Sequence, residues 1–215
     1  YGGGDGMVLK PEPIFAAVES LNISPKATRD TTRESVILLS AQGKRFTQAT
    51  ARHLSTLDRV VFLCGRYEGV DERVSQLLAD DELSIGDYVL SGGELAAAVI
   101  IDAVVRLLPG VLGHADSSRY ESFGEGDDPT ALSTEAGVPR ATHGSGGLLD
   151  YPHYTRPADF RGTPIPEVLA EGDHLKIRKW RRQAALAKTA ANRPDLLTTA
   201  DLTDADREFL ASLGD

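Results

Sequence analysis

Glycine falls in four clusters that bare the main chain to a ligand: Tyr1-Gly2-Gly3-Gly4-Asp5-Gly6, Cys64-Gly65-Arg66-Tyr67-Glu68-Gly69, Ser84-Ile85-Gly86-Asp87-Tyr88-Val89-Leu90-Ser91-Gly92-Gly93-Glu94, and Pro109-Gly110-Val111-Leu112-Gly113. Without a Cβ, N–H and C=O groups can approach a bound molecule closely, and positive φ is permitted. Any one cluster alone also reads as an ordinary tight turn. Several follow segments of strand character, and loops at the carboxyl ends of parallel strands form the ligand crevice of open α/β sheets. None is a GxxxxGK[ST] loop or a GxGxxG fingerprint, which disfavours a nucleoside triphosphate or a dinucleotide. Backbone-rich loops without Lys suit a neutral or zwitterionic ligand, with adenine held by main-chain groups between Leu38, Leu39, Ile85 and Leu90.

Carboxylates crowd the same loops: Glu68, Asp71, Glu72, Asp87 and Glu94. Most surface carboxylates are solvated bystanders. Glu68, just after an apolar run, is the best placed to meet a sulfonium charge or a hard cation. Arg106 stands among Val104, Val105, Leu107 and Leu108; it either snorkels to solvent or is held near a cleft, where guanine O6 and N7 are its natural partners. Between His174 and Arg193 lie Lys176, Arg178, Lys179, Arg181, Arg182 and Lys188, with no Asp or Glu, in a chain of net charge -9. Such segregation suits a phosphate backbone, although a solvated amphipathic helix buried through Leu175, Ile177, Trp180 and Ala184 gives the same pattern. Asp150-Tyr151-Pro152-His153-Tyr154-Thr155-Arg156-Pro157 offers stacking and hydrogen bonding for unpaired bases; His153 by itself proves nothing.

The elements that must position these groups are legible from periodicity. Val36-Ile37-Leu38-Leu39-Ser40 and Val60-Val61-Phe62-Leu63-Cys64 read as buried strands. A helix over 46–57 lies between them, after a turn at Gln42-Gly43-Lys44, which implies a parallel α/β sheet. Further helices are predicted over 11–21 and 93–108. Residues 122–147 have few anchors for a core and read as a mobile linker. The rest reads as mostly helical: Asp173 caps a helix to about Asn192, and Thr203-Asp204-Ala205-Asp206 opens a last one. The length of 215 residues allows one or two domains, and 41% hydrophobic residues allow a packed core. The longest apolar run, 95–101, is far below the roughly 18 residues of a membrane span. A single cysteine, Cys64, excludes a disulfide framework and suits a reducing cytosol. The chain opens on a Gly-rich loop with no Met and no secretory leader, so an N-terminal portion is expected to be missing.

Taken in order, the clusters at 1–7, 64–74, 84–94 and 109–113, with Pro152-His153-Tyr154-Thr155-Arg156-Pro157, resemble the motifs of bacterial TrmD, the tRNA (guanine-N1)-methyltransferases of the SPOUT class. The resemblance implies an α/β fold: a trefoil-knotted parallel-sheet domain over 1–113, lacking its first strand and helix, then a flexible linker over 114–147 and a small helical tRNA-binding domain over 148–215. The knot is a rare exception to unthreaded topology, and the missing strand would expose a sheet edge. It further implies S-adenosylmethionine along Leu38, Leu39, Ser40, Gly65, Ile85, Gly86, Tyr88, Leu90, Gly92 and Gly93, with Tyr67 and Glu68 near the methionine end. A cytoplasmic homodimer, no membrane association, and N1-methylguanosine formed just 3′ of the anticodon follow in the same way.

By motif position, Arg106 holds guanine O6 as N1 loses its proton, and Glu121 is the general base where the family has Asp. The extra methylene moves the carboxylate oxygens, and a shift near 1 Å can cost about 100-fold; Asp116 is the fallback base. Asp150, His153, Tyr154, Arg156, Lys179, Arg181 and Arg182 are expected to bind tRNA. The family depends on Mg2+, for which Glu68 and Glu121 are the candidates. Asp5, Ala41 and Ala96 stand where the family often has Pro, and 124–147 is longer than the family pattern. Alternatives are a tRNA-binding homologue with impaired catalysis and a SPOUT methyltransferase of another RNA base.

Overall fold

The run Val36-Ile37-Leu38-Leu39 sends alternate side chains into two separate cores, and the N-terminal half of the chain is built around it. The computed structural model describes residues 6–113, 117–124 and 146–214. The chain divides into two compact units, Tyr1–Gly113 and His114–Asp215.

In the first unit β1 (Glu34–Arg45) lies between β2 (Arg59–Cys64) and β3 (Asp81–Ser84), all parallel. A central parallel strand is covered on both faces, which is why it reads as an unbroken apolar run. Val36 and Leu38 pack with Val18 of α1 (Pro11–Ser20) and Val74 of α3 (Glu72–Leu77). Ile37 and Leu39 pack with Leu54 of α2 (Gln48–Ser55) and with Ala97 and Ile100 of α4 (Glu94–Val105). The predicted helices all form, each slightly shorter than its periodicity suggests. In α2 the reason is a cap: the Thr47 hydroxyl accepts the Thr50 N–H at 3.3 Å and fixes the first turn beyond Phe46.

Two features of the sheet escape the sequence pattern. β3, Asp81-Glu82-Leu83-Ser84, has too little apolar content to be recognised alone. The turn expected at Gln42-Gly43-Lys44 is instead an irregular stretch within β1, where pairing with β3 breaks off at Leu39 and resumes at Lys44. Gly43 makes that possible, because a Cβ there would lie 2.6 Å from the main chain of Leu83.

The second unit contains α5 (Ser117–Tyr120), the short antiparallel pair β4 (Asp159–Phe160) and β5 (Thr163–Pro164), α6 (Glu167–Ala170), α7 (His174–Asn192), a 3-10 turn at Pro194–Thr198 and α8 (Asp204–Ser212). The Asp173 carboxylate accepts the N–H groups of Leu175 and Lys176, at 3.0 and 3.2 Å, and starts α7 where expected. Thr203 and Asp206 form a reciprocal capping box on α8. The buried face of α7 differs from expectation. Leu175 is 59% exposed, whereas Arg182, Ala185, Leu186 and Thr189 are buried, because α8 and the 3-10 turn pack on the helix.

Most of the expected linker, with the fallback base Asp116, lies outside the described residues, as do the first five residues of the opening glycine cluster. Residues 117–124 are tied to the segment that follows: Phe123 N–H donates to Leu148 O at 2.9 Å, Asp150 N–H to Ser122 Oγ at 2.9 Å, and Gly146 N–H to Gly124 O at 3.0 Å. Leu148 is fully buried at this junction. Among the described residues no helix is long and apolar enough to cross a membrane.

Candidate functional site

Residues 38–42 of β1 and the segments that follow β2 and β3 come together around a cleft of about 500 Å³ in the first unit. Its two glycine-rich loops are joined main chain to main chain: Gly93 N–H donates to Gly65 O at 3.0 Å, and Arg66 forms a bridge with Gly92. This contact admits no side chain at Gly93, where a Cβ would sit 2.8 Å from the Cys64 Cα. Tyr67 adopts a left-handed φ of 59° at the apex of its turn, which Gly69 N–H closes onto Arg66 O at 3.0 Å. The segment before α1 braces the same turn, with Glu68 N–H donating to Met7 O and Leu9 N–H to Gly69 O, both at 3.0 Å. Gly6, the described end of the opening cluster, lies directly against the Glu68 side chain.

The carboxylates around this cleft divide by partner. Asp87 pairs with Arg45 at 2.6 Å and Glu94 with Arg66 at 2.9 Å. Asp71 pairs with Arg73, whose side-chain hydrogen bonds hold its carboxyl down at about 2. Glu68 is exposed on the cleft and makes no ion pair among the described residues. Cys64, close behind the loop, has its thiol pushed up by burial and then by Glu94, which leaves it a poor nucleophile.

A second, separate cleft of about 390 Å³ lies in the second unit, lined by Tyr151, His153, Tyr154, Arg156, Trp180 and Arg181 above Ile165, Leu169 and Ile177. The Arg181 guanidinium sits 4.9 Å from the Tyr151 ring centre, and the rings of Tyr154 and Trp180 are 6.2 Å apart. Asp150 fixes His153 through a 2.9 Å contact to Nε2. Rings with cations between them suit a base with its attached phosphate.

A family model described as tRNA (Guanine-1)-methyltransferase TrmD matches residues 1–199. The chain belongs to this family. The tRNA (guanine-N(1)-)-methyltransferase of Koribacter versatilis (strain Ellin345) is 57% identical over 99% of the chain and 78% of its own length. Those of Geobacter sulfurreducens and Dehalococcoides mccartyi are 49% and 50% identical over 99% and 98% of the chain, covering 76% and 74% of their own lengths.

The residues that the TrmD resemblance assigns to the cofactor all line the first cleft: Leu38, Leu39 and Ser40 within β1, Gly65, Tyr67 and Glu68 after β2, and Ile85, Gly86, Tyr88, Leu90, Gly92 and Gly93 after β3. The cleft also takes in Gln42, Arg66 and Ser75, which sequence reasoning missed. Ser75 lies on a short helix that carries no glycine signal, and Gln42 was read as part of a turn. Of the residues expected on RNA, the second cleft gathers His153, Tyr154, Arg156 and Arg181, with Asp150 behind His153, but not Lys179. Arg182 corrects its expectation: it is 8% exposed, donates to both Asp206 oxygens at 3.0 and 2.7 Å, and is unavailable to a phosphate.

Arg106 is half-buried at the C-terminal cap of α4, its N–H donating to Asp102 O at 3.3 Å. Glu121 is half-buried at the turn after α5, where its carbonyl accepts the Gly124 N–H at 2.9 Å. Among the described residues no three His, Cys, Asp or Glu side chains form a group that could hold a metal ion. Glu68 and Glu121 therefore belong to no preassembled Mg2+ site within the described residues, and no catalytic step is assigned to a metal.

Proposed function

We propose that this protein transfers a methyl group from S-adenosylmethionine to N1 of the guanine just 3′ of the tRNA anticodon. One observation carries the reading: in a chain that matches the TrmD family over 1–199, every residue assigned to the cofactor by motif lies on a single cleft, where the pairing of β1 breaks off and at the carboxyl ends of β2 and β3. The residues suit the group. About 500 Å³ is within the range of small-molecule sites, the walls offer main-chain donors and acceptors, and Leu38, Leu39, Ile85 and Leu90 supply apolar surface. S-adenosylmethionine supplies there a methyl group on a sulfonium sulfur, which departs as a neutral thioether.

Guanine N1 carries a proton and is a poor nucleophile until it is removed. Glu121 accepts that proton, so N1 presents a lone pair to the methyl carbon. Arg106 steadies the negative charge that moves onto O6. Glu68 lies at the positive end of the donor, exposed on the cleft and without an ion pair among the described residues. The second cleft and the exposed Lys179 hold the RNA. A cytoplasmic location, where tRNA is met, and the threaded SPOUT topology belong to the same proposal.

The homodimer has support in α4. Its buried residues are Ala96, Ala97 and Ile100, yet Leu95, Val99, Ile101 and Val105 are exposed. A helix apolar on every side is normally covered on every side, and a second copy of the chain is the cover proposed. Val99→Glu combined with Ile101→Glu is expected to shift the sedimentation coefficient from dimer to monomer. A wild type that already sediments as a monomer contradicts the dimer.

The cofactor assignment is tested by calorimetric titration of S-adenosylmethionine. Gly93→Ala forces a Cβ into the Cys64 backbone and parts the two loops. The expected result is micromolar-range binding by the wild type and a loss of at least about 100-fold in the variant, since a contact this tight cannot be relieved by a rotamer change. Equal binding by both proteins places the cofactor elsewhere.

A further inference from the structure

One carboxylate that neither the motifs nor the cleft lining include connects two parts of the cleft wall. Glu82 of β3 accepts the Ser40 hydroxyl at 2.8 Å and the Gln42 side-chain amide at 3.0 Å on one oxygen, and the Ser75 hydroxyl on the other. Ser40 and Gln42 belong to the stretch after Leu39, and Ser75 belongs to α3. All three donors line the cleft, whereas Glu82 stands behind them.

The stretch needs such a tie. Pairing of β1 with β2 ends at Leu39, and pairing with β3 stops at Leu39 and resumes at Lys44, so 40–43 have no partner in register on either side. Gly43 brings the stretch against β3, and the Glu82 carboxylate fixes the side chains. An ionised carboxylate is an acceptor with room for several donors, so three donors match its charged form. Burial opposes that charge, but the hydrogen bonds from Ser75, Gln42 and Ser40 outweigh it and hold the carboxyl below the usual glutamate range.

We propose that Glu82 is a positioning residue for the methyl-donor site, presetting the 40–43 stretch and Ser75 so that ligand binding need not order them. This rests on the reading of the cleft as the S-adenosylmethionine site. Preorganisation of this kind raises affinity by removing an ordering cost from the binding step.

The test uses the whole chain with Glu82→Gln, and Ser75→Ala with Gln42→Ala as a milder variant that leaves the carboxylate in place. Titration with S-adenosylhomocysteine, amide hydrogen exchange without ligand, and thermal melting are measured on each. Loss of charged hydrogen bonds is expected to weaken S-adenosylhomocysteine binding roughly 10- to 100-fold in Glu82→Gln. Exchange at 40–44 should quicken in the ligand-free variant while other segments of the first unit keep wild-type rates. At saturating donor the kcat of Glu82→Gln should stay near wild type, with the change confined to KM for the donor. Wild-type affinity and exchange in both variants overturn the proposal, and so does faster exchange spread evenly over the unit, which marks a merely structural role. Failure of the wild type to bind S-adenosylhomocysteine overturns the cofactor reading and this proposal together.

Discussion

Glu121→Ala is expected to lower single-turnover methyl transfer by roughly 10²- to 10⁴-fold, the range typical of a lost general base. Glu121→Gln should lose as much, because the amide keeps the size but cannot take the N1 proton. Glu121 is no part of the first cleft's lining, so on the proposed reading donor affinity should stay at the wild-type value. Arg106→Ala should cost about 10²- to 10³-fold, as loss of a donor to developing negative charge does elsewhere. Glu121→Asp separates two accounts of the departure from the family pattern. If the turn closed by Gly124 N–H and anchored on Leu148 is set for the longer side chain, shortening it costs about 100-fold; a rate equal to or above wild type means the turn adjusts. Full activity in Glu121→Ala removes the residue from the mechanism.

The largest stability effect is expected from the pair buried between α7 and α8. Arg182 and Asp206 meet at 2.7 Å with side chains only 10% and 7% exposed, and Arg182 also donates to Asp201 O at 3.1 Å. Removing one partner leaves an uncompensated buried charge, at a cost of about 3–5 kcal/mol. Arg182→Ala or Asp206→Asn should therefore unfold the second unit at a markedly lower urea concentration. The pH dependence has a definite sign. Burial works against the Asp206 charge, but hydrogen bonds from Arg182 and Thr203 prevail and hold its carboxyl below the usual aspartate range. A depressed folded value means that its stabilisation is present above the unfolded carboxylate range and is lost as pH falls through the folded value. Urea midpoints read between pH 7 and pH 3 should show this acid loss in the wild type, and Asp206→Asn should lack that component. Parallel curves for the two proteins contradict it.

The fold was legible where one physical demand dominated a segment. Val36-Ile37-Leu38-Leu39 read as a buried strand, and Asp173 and Thr203 could be read as caps because their side chains answer free N–H groups. The lining of the first cleft was legible through its motifs. Close approach of the two loops is something only glycine allows at Gly93, and that requirement shows in the sequence. Other features depend on distant partners and left no local trace. β3 carries two acids and a serine in four residues and is a strand only because β1 pairs with it. Arg182 has the same local setting as Lys179 and Arg181 in a run of cations, and what buries it is Asp206, supplied by another helix. Glu82 has no glycine beside it, and its three donors, Ser40 and Gln42 of β1 and Ser75 of α3, lie on other elements of the chain.

The central claim is chemical, and the product nucleoside tests it most directly. Purified protein in excess over an unmodified tRNA transcript with guanosine 3′ of the anticodon, given methyl-labelled S-adenosylmethionine for a single turnover, should yield labelled N1-methylguanosine at that position after nuclease digestion. A transcript with adenosine there should yield none. Label on any other atom or nucleoside, or no label on a tRNA that the protein demonstrably binds, contradicts the account.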